Sequence, residues 1–404
     1  MNQLATQRYR REITLLLSAA LVIFVVTVII GILNGADLVE FDIKTILTHV
    51  HAGTLGWITI AVFASVLWLF GDGEVSGWQE ALPGLLTPLS VVVIAVYVVA
   101  FWTTVGTFRP VMGTITGLVI AAYFVWTVAR ARRRVLSTPH WGMLVALFTS
   151  VTGAVFGVLY AFMISTGHRL LPEGGEDAHP ATMVVGFLLP VGMSVTEWWL
   201  RPDTLSTPAD RAGLWQMGSL LAGSVILVVG LLLDAPPLIG LSLPLEIVAV
   251  VLFLVRNGRA MRATDWAEPS PARFFTFSAL AIVANIVYFA YLVIRYEGDF
   301  DLVPTRLLLV LDHMMFVGVM TMAIFGLLTA ITAERRGVLT WADQWIFWLT
   351  TCGLVGFMLG LLADLAWMKR VSTPAMGVGI LLGLLTFGFR LRAVIEADPE
   401  GSPA

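Results

Sequence analysis

Hydrophobic residues in this chain come in long unbroken blocks, not in the alternating or helical stripes of a half-buried soluble element. Twelve such blocks can be marked off, each of roughly 20 residues, the length an α-helix needs to cross a hydrocarbon layer. The first six are about Ile13–Leu33, Ile46–Phe70, Leu82–Thr104, Val111–Arg130, His140–Ser165 and His179–Leu200. The second six are about Leu214–Asp234, Leu238–Val255, Phe274–Arg295, Leu307–Ile331, Trp341–Ala363 and Ala375–Ile395. Backbone groups find no water inside a bilayer, so each block is predicted to be a helix that satisfies its own hydrogen bonds. The expected fold is therefore an all-α polytopic membrane protein. Connections between blocks are short, which makes residues 1–396 one transmembrane domain and leaves 397–404 as a disordered C-terminal tail.

Composition agrees with this reading. Of 404 residues, 58% are hydrophobic and 13% charged, against the roughly 25% charged of a soluble domain. The net charge of −3 is spread over loops and offers no basic patch to a nucleic acid, so the expected partner is the lipid bilayer. The single cysteine, Cys352, sits inside an apolar block, which excludes an intrachain disulfide and any multi-cysteine zinc or iron–sulfur site. The first block is too long for a cleavable signal and lacks a small-residue cleavage site, so it is expected to stay as a helix. Arginine clusters (Arg8, Arg10 and Arg11; Arg130 to Arg134; Arg256, Arg259 and Arg262; Arg335 and Arg336; Arg390 and Arg392) all fall on one side of an alternating path. By the bias of positive charge toward the cytoplasm, both termini are expected inside.

Ionisable side chains within apolar blocks then stand out, because in a membrane they usually serve a ligand, a relay or an ion path. His49 and His51 open the second block in T-H-V-H-A-G-T-L-G-W, His179 opens the sixth in H-P-A-T-M-V-V-G, and His313 lies early in the tenth in D-H-M-M-F-V-G. All three blocks enter the membrane from the same, outer side, so the histidines share one level. His51 and His179 are 128 residues apart and His179 and His313 are 134 apart, and a glycine follows each (Gly56, Gly186, Gly318). The chain therefore reads as three pseudo-repeated four-helix units with a histidine on the second helix of each.

Two residues on a helix are separated by about 200°, so His49 and His51 cannot bind one metal together. They could face two different sites, or one could ligate while the other hydrogen-bonds. Ala52, Gly53 and Gly56 beside them leave a groove for a flat macrocycle or a second helix. Asp312 is placed to accept the other N–H of the His313 imidazole, as carboxylates behind a ligating histidine do. Met314, Met315, Met320 and Met322 are expected to pack, and His140 and His168 to be ordinary interfacial residues. Glu173, Glu176 and Asp177 crowd the approach to His179. Glu197 is expected to reach the inner interface, whereas Glu246 is a candidate for a proton or ion path. No phosphate-binding glycine loop, nucleophile elbow or other soluble catalytic motif is present.

Twelve helices in three groups of four, with histidines on the second, sixth and tenth near the outer face, resemble subunit I of the haem–copper oxidases. H-V-H-A-G-T-L-G-W looks like the haem motif of that family's second helix, His313 looks like its tenth-helix ligand, and H-P-A-T-M looks like a worn copy of its sixth-helix H-P-E-V-Y. The departures are specific. Ala181 and Met183 replace the acid and tyrosine, the seventh helix (W-Q-M-G-S-L-L-A-G) has no histidine pair, and the tenth has one histidine instead of two. The chain is more similar to the reduced NnrS-type nitric-oxide-response proteins. That resemblance implies a bacterial inner (cytoplasmic) membrane protein with one or two haem b groups. His49, His51 and His313 are the candidate haem ligands, and His51, His179 and His313 the candidate metal ligands. Copper is a weaker implication, since two of its three ligands are missing. The implied role is electron transfer, with a redox partner or quinol as donor, or binding of a diatomic gas such as nitric oxide. Reduction of oxygen is not expected. The alternative is a twelve-helix secondary transporter, in which Pro190 and Pro244 would mark broken helices.

Overall fold

The computed structural model describes residues 7–75, 77–103, 106–172 and 174–396, so Glu173 and the tail expected over 397–404 lie outside the described residues. Twelve helices are long and apolar enough to cross a membrane. They are α1 (Arg10–Gly35), α2 (Ile43–Gly71), α3 (Trp78–Thr103), α4 (Phe108–Ala131), α5 (Thr138–Thr166), α6 (Ala178–Leu200), α7 (Arg211–Leu232), α8 (Pro236–Arg262), α9 (Pro271–Arg295), α10 (Thr305–Ile331), α11 (Ala342–Leu362) and α12 (Ala366–Glu396). Among the described residues there is no strand. The protein is an all-α, multi-pass membrane protein.

Most helix ends fall within about a turn of those expected from the hydrophobic blocks. Two do not. α8 runs on past Val255 to Arg262, and α12 begins at Ala366 instead of Ala375. In both, the extra turns are polar (R-N-G-R-A-M-R in α8; K-R-V-S-T in α12), and a helix does not stop where its apolar stretch does. Pro374 lies inside α12 and Pro244 inside α8. Pro190 sits in the first turn of an α-helical stretch that continues α6. None of these prolines divides its helix, which removes the broken-helix feature of the transporter alternative.

α2, α6 and α10 form the centre. Their most apolar windows are 94%, 72% and 89% buried, against at most 50% for any of the other nine. Those nine make a ring: α12 packs on α1, α1 on α3, and then α4, α5, α7, α8 and α9 follow, while α11 packs on α12. The ring closes where Arg273 of α9 donates to the Gln344 side chain (2.6 Å) and the Asp343 carbonyl (2.5 Å) of α11. The second helix of each four-helix unit is thus the inner one, and the threefold arrangement is a property of the packing.

Two further features repeat. Each inner helix contains a π-helical segment, Ala52–Thr59, Thr182–Leu188 and Met314–Thr321, and the repeated glycine is its fifth residue. A Cβ on Gly56 would come within 2.2 Å of Ile23, one on Gly186 within 2.9 Å of Thr149, and one on Gly318 within 3.0 Å of Ala281. These partners lie on α1, α5 and α9, the first helices of the three units, so the glycine lets the first helix of each unit close onto the second; at Gly186 it also admits Ser224 of α7, 2.6 Å from such a Cβ. The π segment of α10 touches those of both α2 and α6, which holds all three at one depth.

At the opposite end, each fourth helix supplies a buried arginine. Arg130 of α4 donates to the carbonyls of Phe70 (3.0 Å) and Glu74 (2.7 Å) at the end of α2. Arg256 of α8 pairs with Glu197 of α6 at 2.7 Å. Arg390 of α12 pairs with Asp343 at 2.7 Å and donates to the Val338 carbonyl, just beyond α10, at 3.0 Å. A cation complements the negative end of a helix dipole, so the arginines close the C-terminal ends of the inner helices. Glu197 is accordingly not an interfacial residue: it is fully buried because Arg256 supplies its counter-charge. His140 is likewise not an ordinary interfacial residue. It is buried at the start of α5, with Nδ1 at 2.7 Å from Ser137 Oγ and Nε2 at 3.2 Å from the Leu69 carbonyl.

Candidate functional site

All four histidines of the inner helices are held the same way. Nδ1 of His49 is 2.8 Å from the Thr27 carbonyl, that of His51 2.8 Å from Leu47, that of His179 2.8 Å from Gly153 and that of His313 2.8 Å from Leu309. A carbonyl oxygen only accepts, so each Nδ1 carries the proton and each Nε2 keeps its lone pair. This is the arrangement of a metal-ligating imidazole, whose second nitrogen fixes the tautomer and ring orientation. Asp312 is not the group that does this for His313, because the Leu309 carbonyl one turn back takes the N–H. Asp312 instead lines the cavity described below.

The histidines are of two kinds, distinguished by their register to the π segment. His49 and His179 lie three residues before it and donate to the preceding helix, α1 or α5; His51 and His313 lie immediately before it and donate within their own helix. Each pairs with the other kind on a neighbouring inner helix. His49 and His313 line one cavity at the α2–α10 interface, and His51 lies toward His179 of α6 on the other side of α2. The spacing of His49 and His51 thus sets each beside a different histidine, one on each side of α2. The third interface, α6–α10, carries Ala181 and Leu311 at the equivalent positions, and both pack against an apolar cluster with Val185, Leu243 and Phe289.

The His49–His313 pair faces a cavity of about 440 Å³ between α1, α2, α10, α11 and α12. Small residues shape its wall: a Cβ on Gly31 would lie 3.0 Å from Cε1 of His49, so glycine there leaves room for the ring. Trp57 lines it too, stacked on Phe24 at 4.6 Å and donating from Nε1 to Thr321 of α10 at 3.2 Å. At the end nearer the histidines the lining turns charged, with Arg306 at the start of α10, Lys369 at the start of α12 and Asp37 just after α1. Lys369 pairs with Asp37 at 2.5 Å, and Arg306 donates to the Leu361 carbonyl at 2.6 Å. The second pair is more tightly dressed. The His51 ring stacks on Phe101 of α3 at 3.7 Å with Tyr97 edge-on at 6.3 Å, and His179 lies against Gly157 of α5.

Among the described residues, no group of three or more His, Cys, Asp or Glu side chains converges on a metal position. Neither pair is thus a metal cage made by protein alone. Each pair of imidazoles offers two nitrogen donors, and a tetrapyrrole would bring the remaining donors itself. The cavity, the free Nε2 atoms and the cations Arg306 and Lys369, which share the lining with Asp37 and Asp312, fit such a group at the first pair.

The histidines, the threefold spacing and the glycines were visible in the sequence. The carbonyls of Thr27 and Gly153, the stacking partner Phe101 and the rim residues Arg306 and Lys369 were not, because they come from helices remote in the chain. The chain matches no family model and no curated protein.

Proposed function

We propose that the protein is a haem-binding membrane protein of electron transfer, with haem b held between His49 of α2 and His313 of α10. The observation that carries this reading is the pairing of two imidazoles, each locked by an Nδ1–H···O=C bond with Nε2 free, across a cavity large enough for a flat ligand. Haem bound there would supply one-electron chemistry. The protein's part would be to offer the Nε2 atoms of His49 and His313, exclude water with an apolar wall, and meet acidic substituents with Arg306 and Lys369 at the rim. If both His49 and His313 hold the iron, the protein's own donors would be committed to it, which favours electron transfer over gas binding. His51 and His179 offer a second centre of the same axial pattern, for a second haem or another metal ion. With Arg130, Arg256 and Arg390 on the cytoplasmic side, the histidine sites lie near the outer face of a bacterial inner membrane, within reach of a quinol or a redox partner.

Purified protein is predicted to show the Soret absorption of a low-spin haem and to yield a pyridine haemochrome of b type. A colourless preparation without haem would refute the proposal. The secondary-transporter alternative draws no support from the packing, which repeats as three groups of four helices and not as six plus six.

A further inference from the structure

One deeply buried acid takes no part in either histidine pair. Glu246 of α8 is fully buried, and neither carboxyl oxygen has a hydrogen-bond partner among the described residues. It lies ten residues, about 15 Å, from the start of its helix, well inside the hydrocarbon. No charged side chain on the neighbouring α6, α7 or α9 interacts with it, and Ser242 one turn away is its polar neighbour. An ionised carboxyl so placed is costly, and such residues usually mark a proton or ion pathway. A bare cation would need several oxygen ligands, whereas a proton needs only the carboxyl.

Polar side chains on α7 lead from the acid toward the arginine face. Glu246 packs closely against Gly223, where an added Cβ would sit 3.1 Å from its Cγ, so glycine there leaves the acid its place between α7 and α8. Buried Ser219 and Gln216 follow on the same face of α7, the span from Gly223 to Gln216 being about 10 Å. The Gln216 side-chain carbonyl accepts from Arg256 at 2.8 Å, and Arg256 also reaches Glu197 at 2.7 Å and Asp210 at 3.4 Å. The Asp210 side chain is 59% exposed, which brings the line to the surface on the arginine side. In the other direction, Ser224, next to Gly223, lies against Gly186 in the π segment that follows His179. We infer that Glu246 is a proton-exchange site inside the membrane, reached from the arginine face along the Asp210–Arg256–Gln216–Ser219 side of α7. A proton arriving there converts carboxylate to carboxylic acid and leaves along the same line, with no electron or other group transferred.

Infrared spectroscopy of the full chain in lipid nanodiscs tests this without any need for haem, so its failure is separable from failure of the haem reading. Wild type is expected to show a carboxylic-acid C=O band that shifts when H₂O is exchanged for D₂O. The band should be missing in Glu246→Gln, kept in Asp312→Asn, and slower to shift in Ser219→Ala. Glu246→Asp, which retains the carboxyl, should keep a band at an altered frequency even if Glu246→Gln fails to assemble. A Glu246→Gln spectrum identical to wild type, a Glu246→Asp spectrum with no such band, or a wild-type band that never shifts in D₂O would overturn the inference.

Discussion

At the scale of single residues, the histidines divide into anchors on a neighbouring helix and anchors on their own, and this division underlies the proposal of two sites from four side chains. His49 and His51 are two residues apart, yet one donates to Thr27 of α1 and the other to Leu47 of α2, so their free nitrogens serve opposite flanks of the helix. The rim residues of the first site act through charge. If Arg306 and Lys369 hold the acidic substituents of a haem, Arg306→Ala is predicted to lower the haem midpoint potential and weaken retention. A charge-assisted hydrogen bond contributes roughly 1.5–3 kcal/mol, and loss of one should register as about ten- to a hundredfold faster haem loss to an acceptor protein. Potentiometric titration with a haem-transfer assay checks this, and an unchanged potential would place the haem edge elsewhere. Of these residues, the histidines were legible because an ionisable group in an apolar block is conspicuous. Arg306 and Lys369 were hidden among ordinary loop-end cations, and only the approach of α10 to α12 distinguishes them. Asp312 misled for a related reason. Adjacency in sequence suggested an orienting carboxylate, but on a helix the carbonyl one turn back is the closer acceptor.

At the scale of elements, the inner helices depart from regular α geometry where function is expected. A π segment follows each histidine position, and such segments occur frequently at functional sites. The hydrophobic pattern carries no sign of them, because a block that is apolar all round has no face whose rotation could be read. The glycines were visible as a repeat, but their purpose was not. Each lets the first helix of its unit approach the second, and filling that space strains a close-packed interface by about 1–3 kcal/mol. Gly318→Leu is therefore predicted to lower thermal stability in detergent and to shift the spectrum of the His49–His313 site more than Gly186→Leu does. The arginine clasps belong to the same scale. Removing one partner of a buried ion pair typically costs 3–5 kcal/mol, so Arg390→Ala, which strands Asp343, should destabilise more than Arg392→Ala on the exposed face. Melting curves of the two variants decide it, and equal midpoints would contradict the clasp.

At the scale of the whole molecule, nine helices surround three, and the interfaces of the three carry two histidine pairs and one apolar cluster. Helix number and threefold order could be read from block length and histidine spacing, since both depend on bilayer thickness and repeated topology. Which interfaces hold sites and which is sealed could not, because that depends on register to π segments. The arginine clusters predict an orientation with both termini inside, and it is testable in a Cys352→Ser background. Glu40→Cys should react with an impermeant thiol reagent from outside intact cells, and Arg335→Cys only after permeabilisation; the reverse pattern would invert the protein. The central claim is the haem between α2 and α10. Its most direct test is the optical spectrum and haem content of purified wild type beside His313→Ala and His179→Ala. The structure predicts that His313→Ala loses the low-spin haem of the cavity while His179→Ala retains it. A wild type without haem, or a His313→Ala variant with the spectrum and haem content of wild type, would contradict it.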